Sequence, residues 1–76
     1  MDTILALNID VKSITGRQIR RLRKLAGLSQ VELADQCGIF RSYLSRIEGG
    51  TANATIVVLA ALATALNVPV TELFQI

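Results

Sequence analysis

The fold is decided by one stretch of the chain, residues 28–48, which reads LSQVELADQCGIFRSYLSRIE. Ser29, followed three residues later by Glu32, forms a capping box, which is a pattern that starts α-helices. Gly38 predicts the end of that helix, because glycine readily adopts the left-handed conformation found at many helix ends. The stretch therefore predicts a short helix, a tight turn at Gly38 and a following helix over Arg41–Glu48.

Helix signals continue on both sides of this stretch. Upstream, Thr15 and Gln18 form another capping box. Downstream, Thr55 is a candidate N-cap and Pro69 opens a last short helix. The sequence predicts an all-α fold, a compact domain of five helices over residues 16–26, 30–37, 41–48, 56–66 and 69–74. Helical periodicity assigns to the core Ile19, Leu22, Leu25, Ala26, Leu44, Ile47, Ile56, Leu59, Leu62, Ala63 and Leu66.

The first residues follow a different pattern. Leu5, Leu7, Ile9 and Val11 alternate with smaller or polar residues at the period of a β-strand. A single strand is not stable alone, so we expect an N-terminal arm, residues 1–14, that pairs with the same strand of a second copy. A loosely packed arm and a helical turn are the alternatives.

Composition excludes most catalytic and metal chemistry. The chain has 76 residues, which is enough for one domain, and it contains no histidine and one cysteine. A zinc cluster, a Ser-His-Asp triad and a Cys-His pair each lack a required member, so we expect no enzyme, no metal and no cofactor. Cys37 is interpreted as a small buried side chain at the turn, with a redox sensor as the alternative. No signal-peptide pattern is present, which predicts a cytoplasmic protein.

Charge is unevenly distributed along the chain. All eight basic residues lie between positions 12 and 46 with only two acidic residues, so this stretch has a net charge of +6 and the rest of the chain −4. Clustered Lys and Arg are typical of proteins that bind polyanions such as DNA. A solvated helix face is the alternative interpretation.

Two short helices joined at Gly38 form a helix-turn-helix, in which the second helix enters the major groove of DNA. The outer face of that helix carries short polar and basic side chains, with Tyr43 on one flank. Arginine is the usual bidentate partner of guanine, so Arg41 and Arg46 are candidate base readers. The alternatives are a solvated face for the two arginines and a cover for the edge of the core for Tyr43.

The runs LSQVELADQCGI (28–39) and RSYLSRIE (41–48) resemble the phage repressor and Cro-type helix-turn-helix proteins. The resemblance extends from about Ile19 to Phe74, and the run Arg41-Ser-Tyr-Leu-Ser is also similar to restriction-modification controller proteins. It implies a helix-turn-helix domain over residues 15–76 and a homodimeric transcriptional regulator, a repressor or autoregulator, that binds a palindromic operator in double-stranded DNA.

The resemblance also implies roles for individual residues. Those in base contacts are Arg41, Ser42, Arg46 and Tyr43, and those in phosphate contacts are Gln30 and Asn53. Ser45 on the outer face of the third helix and Arg20 of the first helix are further candidates for phosphate contacts, and for Arg20 a charge that only solubilises the helix is the alternative. Arg23 and Glu48 match a structural ion pair. For Gln30 an ordinary position in the first turn of its helix is the alternative. Two positions depart from the pattern: Phe40 stands where a capping residue is usual, and the loop at Thr51 and Ala52 lacks a basic residue.

The predicted fourth helix is uncharged, and no charged residue occurs from Gly49 to Thr71. Its apolar run is shorter than the ~20 residues that cross a bilayer, so we expect no membrane span. Apolar side chains left over after core packing often form protein interfaces. We expect homodimerisation through Val57, Val58 and Ala61 together with Leu5 and Leu7 of the arm. A different protein partner, as in an antitoxin-like or adaptor protein, is the alternative.

Overall fold

The computed structural model describes residues 10–75, which form four α-helices and one 3-10 helix. These are α1 (Val11–Leu25), α2 (Gln30–Cys37), α3 (Arg41–Glu48), α4 (Ile56–Ala65) and the 3-10 helix Val70–Phe74. The all-helical prediction is confirmed, and residues 10–75 contain no strand. The count of five α-helices is wrong, because the last segment has the tighter 3-10 geometry.

The predicted start of the first helix is also wrong. Asp10 caps α1: its Oδ1 accepts a hydrogen bond from the Ser13 amide at 3.1 Å, and its Oδ2 accepts one from Ser13 Oγ at 2.7 Å. An aspartate cap satisfies amides at the helix start, so the helix runs through the expected cap, Thr15, whose side chain is buried instead. Val11, the last residue of the expected strand, begins this helix, whereas Leu5, Leu7 and Ile9 lie outside the described residues.

The predicted helix-turn-helix bounds are those of α2 and α3. The capping box at Ser29 is present, with Ser29 Oγ accepting from the Glu32 amide at 3.0 Å and Glu32 Oε1 accepting from the Ser29 amide at 2.8 Å. Gly38 is left-handed, with φ +67°, and turns the chain towards α3. Phe40 precedes α3 in an extended conformation and its side chain makes no capping hydrogen bond.

The core receives one fully buried side chain from each helical element. These five are Ile19 of α1, Leu33 of α2, Leu44 of α3, Leu62 of α4 and Leu73 of the 3-10 helix. Three expected core residues are exposed instead: Leu25 at 73%, Ile56 at 78%, and Ala26. All three lie at helix ends, where the chain leaves the packed interior. Within residues 10–75 no helix has both the length and the apolar character needed to cross a membrane.

Helix α1 crosses the end of α3 at very short range. A Cβ atom placed on Gly16 would lie 2.3 Å from the carbonyl oxygen of Ile47 and 2.8 Å from that of Glu48. No other residue type fits against these backbone atoms. The contact at Gly16 therefore sets how closely α1 supports α3.

Candidate nucleic-acid interface

Helix α3 has two distinct faces. Leu44 and Ile47 are buried in the core, whereas Arg41, Ser42 and Arg46 are exposed. The spacing of three residues between the two buried positions fixes which side of the helix faces inward. The outward side therefore presents two guanidinium groups and a hydroxyl to the surroundings, a set of groups that can hydrogen bond to base edges.

Tyr43 lies on the border between these faces. It is half-buried and packs against the core, while the guanidinium carbon of Arg46 lies 5.8 Å from the centre of its ring. At this distance the ring attracts the cation. Tyr43 therefore belongs to the edge of the core and also holds Arg46 near the surface of α3.

A buried ion pair joins α1 to the end of α3. Arg23 Nε donates to Glu48 Oε2 at 2.7 Å and its Nη2 donates to Glu48 Oε1 at 3.0 Å, a bidentate arrangement. Arg23 Nη1 also donates to the carbonyl of Leu28 at 2.9 Å. These bonds to Glu48 raise the pKa of Arg23, so its guanidinium stays charged although it is buried. The pair ties together α1, α3 and the chain that enters α2.

The ion pair extends outward to the surface of α3. Gln30 Nε2 donates to Glu48 Oε1 at 3.0 Å, and Arg41 Nη1 donates to Gln30 Oε1 at 3.1 Å. Arg41 is therefore connected through Gln30 to a carboxylate that is itself held by Arg23. Sequence reasoning missed this chain of contacts, because nothing in the sequence reports that residues 11 and 18 positions apart meet.

Three of the four expected phosphate-contacting residues line one open groove. Arg20, Gln30 and Ser45 border a space of about 600 Å³ between α1, α2 and α3. Asn53 does not line this groove. It borders a smaller cavity of about 100 Å³ beside Lys12 and the buried Thr15.

Helix α4 presents a second kind of surface. Its first two residues, Ile56 and Val57, are 78% and 76% exposed. Val58 and Ala61, expected at the same interface, are half-buried, and Val58 packs against the core. The exposed apolar surface of α4 therefore begins one residue earlier than the sequence predicted. Leu5 and Leu7, the other expected interface residues, lie outside the described residues.

Comparison with known proteins identifies this arrangement as that of helix-turn-helix regulators. Residues 15–74 match the helix-turn-helix domain family. An uncharacterized HTH-type transcriptional regulator, y4dJ of Sinorhizobium fredii, is 38% identical over 65 residues, which are 86% of this chain and 84% of that protein.

Two solved structures have the same fold. The restriction-modification controller protein C.AhdI from Aeromonas hydrophila superposes with a TM-score of 0.81 and 41% identity, covering 83% of this chain and 96% of that one. The biofilm master regulator SinR, solved in complex with DNA, superposes with a TM-score of 0.76 and 37% identity, covering 80% and 98%. The chain belongs to the helix-turn-helix family, and the resemblance to repressor and controller proteins is confirmed.

Proposed function

We propose that this protein is a sequence-specific DNA-binding transcriptional regulator that reads its operator with α3. The observation that carries the proposal is the chain of contacts from the buried Arg23–Glu48 pair through Gln30 to Arg41. A long, flexible arginine on a free surface would lose rotamer entropy on binding. Arg41 is already oriented by Gln30, so less of this entropy remains to be lost.

Base reading is assigned to Arg41, Ser42 and Arg46, with Tyr43 contributing through the position of Arg46. Arg20, Gln30 and Ser45 share the groove beside α2 and are proposed to bind phosphate oxygens there. A helix N-terminus favours an anion, and α2 begins at Gln30. Asn53, whose surroundings differ, is proposed as a separate phosphate contact.

The regulator is proposed to act as a homodimer. One recognition helix reads only a few base pairs, and two helices related by a twofold axis would read half-sites about 34 Å apart. The exposed apolar residues Ile56 and Val57 of α4 offer a dimer contact, because burying adjacent exposed apolar side chains against a second copy removes them from water. Repression or autoregulation follows when a dimer of this kind covers a promoter.

Direct reading by α3 is tested with duplexes enriched by the wild-type protein from a random DNA library. Arg41→Ala should weaken binding to the enriched duplex by about 5- to 150-fold and relax the preference at one base pair, since a bidentate arginine contributes about 1–3 kcal/mol. Arg17→Ala removes an equal charge from an exposed position on α1, outside α3. This control should leave the sequence preference unchanged.

Binding would be measured by fluorescence anisotropy at fixed ionic strength. If Arg41→Ala retained both the affinity and the sequence preference of the wild type, α3 would not be the reading helix.

The dimer interface is tested by sedimentation velocity. Val57→Asp should shift the protein to monomer, because a charge would be buried without a partner. Leu25→Asp is the matched control, since Leu25 is equally exposed at 73% but lies at the end of α1. A Val57→Asp variant that dimerises as the wild type does would exclude α4 as the interface.

A further inference from the structure

Phe40 is the most exposed large apolar side chain among residues 10–75, with 83% of its surface accessible. The chain has only three aromatic residues, Tyr43 and two phenylalanines. Tyr43 packs against the core and Phe74 is 42% exposed. Phe40 therefore adds little packing to the protein alone.

Phe40 also makes no capping contribution. It occupies the N-cap position of α3, where Ser, Thr, Asp or Asn would accept a hydrogen bond from a free amide. The N-caps of the other three α-helices, Asp10, Ser29 and Thr55, all make such a bond. The phenyl ring at the start of α3 thus replaces a stabilising group without being buried itself.

Backbone hydrogen bonds hold the main chain of Phe40 in place. The carbonyl of Phe40 accepts hydrogen bonds from the amides of Tyr43 and Leu44, each at 3.1 Å. The preceding residue, Ile39, packs against the core, and its amide donates to the carbonyl of Ala34 at 3.1 Å. The main chain at Phe40 is therefore anchored on both sides, directly before Arg41.

We infer that Phe40 is a specificity-determining residue whose ring contacts the C5 methyl group of a thymine next to the base pair read by Arg41. This inference rests on the proposed function of α3. Recognition helices approach base edges with their N-terminal residues, and Phe40, the N-cap of α3, would lie close to those edges in the major groove. The thymine methyl is the apolar group at that edge, and phenylalanine is one of its known types of contact.

The surroundings of Phe40 favour DNA over a protein as its occupant. The residues that follow it, Arg41 and Ser42, are exposed and polar or basic, whereas the exposed apolar residues of α4 form a separate surface. An apolar protein surface laid over Phe40 would also bury the charge of Arg41. The major groove of DNA offers hydrogen-bond acceptors to Arg41 and thymine methyl groups to Phe40 at the same time.

The test uses the duplex enriched by the wild-type protein, with each thymine in turn replaced by uracil, which lacks only the methyl group. At one position, the replacement of thymine by uracil should lower the affinity of the wild-type protein about fourfold, which is the ratio expected for losing one buried methyl group. Phe40→Ser should bind the thymine and uracil duplexes equally while keeping the preference set by Arg41. Phe40→Leu, which retains an apolar side chain, should keep part of the discrimination.

Leu25→Ser is the matched control, because it removes a similarly exposed apolar side chain from α1 and should leave the discrimination at its wild-type value. Equal responses of wild type and Phe40→Ser to uracil would overturn the inference and leave the proposed function standing. Loss of dimerisation in Phe40→Ser, seen by sedimentation, would also overturn it and make Phe40 a protein contact. If the wild type enriched no duplex at all, the proposed function itself would fail.

Discussion

Helices α3 and α4 both pack one side into the same core, but they differ in the side chains that hold them there and in the side chains that they expose to solvent. The buried side of α3 combines Leu44 and Ile47 with the charged Glu48, and its outer side is polar and basic. The buried side of α4 is entirely apolar, and so are Ile56 and Val57 on its exposed surface.

This difference shows how firmly each helix is fixed in position relative to the core. Apolar packing is non-directional, so it holds α4 in the core while allowing small changes in its position. A bidentate ion pair has strict geometry, and the close approach at Gly16 allows α3 little freedom relative to α1. A helix that is proposed to align side chains with base edges, as α3 is, needs this directional attachment, whereas a helix that only contributes apolar area does not.

The largest effect should come from removing the charged anchor of α3. Glu48→Ala leaves Arg23 buried without its partner and should lower the free energy of unfolding by about 4 kcal/mol, measured by urea denaturation. Replacing both residues, Arg23→Leu with Glu48→Leu, should cost much less, because no charge is left unpaired.

The double variant also tests whether α3, unlike α4, needs its charged attachment. It should fold yet bind the enriched duplex more weakly, because Gln30 loses Glu48 and no longer orients Arg41. Wild-type DNA affinity in a folded double variant would show that α3 needs only apolar packing, as α4 does.

A smaller loss of stability is expected from a change at the close contact between α1 and α3. Gly16→Ala places a methyl group against the carbonyls of Ile47 and Glu48 and should destabilise the protein by about 2–3 kcal/mol. Gly49→Ala is the control, because its Cβ would lie 3.4 Å from the nearest carbonyl oxygen at an ordinary φ of −80°. If Gly16→Ala and Gly49→Ala lowered the thermal midpoint of unfolding equally, α1 and α3 would not be in close contact at Gly16.

The smallest effect concerns pH. Hydrogen bonds from Ser13 hold the pKa of Asp10 below its ordinary value, and the Ser29 amide does the same for Glu32. A lowered pKa means that these caps stabilise α1 and α2 above the ordinary carboxyl range and are lost as the pH falls through the lowered values. The cap of α4 is the hydroxyl of Thr55, which does not titrate in this range.

Amide chemical shifts measured by NMR during an acid titration would separate these helices. The amides of Ser13 and Ser29 should move as the pH falls below the ordinary carboxyl range, while the amide of Val58 stays constant. Parallel movement of all three would indicate general unfolding and not loss of the acidic caps.

Local sequence signals predicted α2, the turn and α3 well, because each depends on residues within a few positions of one another. Ser29 with Glu32 and Gly38 act through neighbouring backbone groups, so their structural effect is visible in the sequence. The start of α1 was predicted wrongly, because Asp10 and Thr15 are both good capping residues and only packing selects between them. Ile56 was misassigned to the core for a related reason, since periodicity does not tell where a helix end leaves the interior.

The sequence by itself determined the helix-turn-helix, its family, and the polar face of α3 that carries the candidate base readers. Only the tertiary structure decided how that face is supported: Gln30 between Glu48 and Arg41, Gly16 against the end of α3, and Phe40 left exposed beside Arg41. The reason is physical. Capping and periodicity are local properties of the chain, whereas hydrogen bonds between distant side chains and the distance between helices exist only after the core has packed.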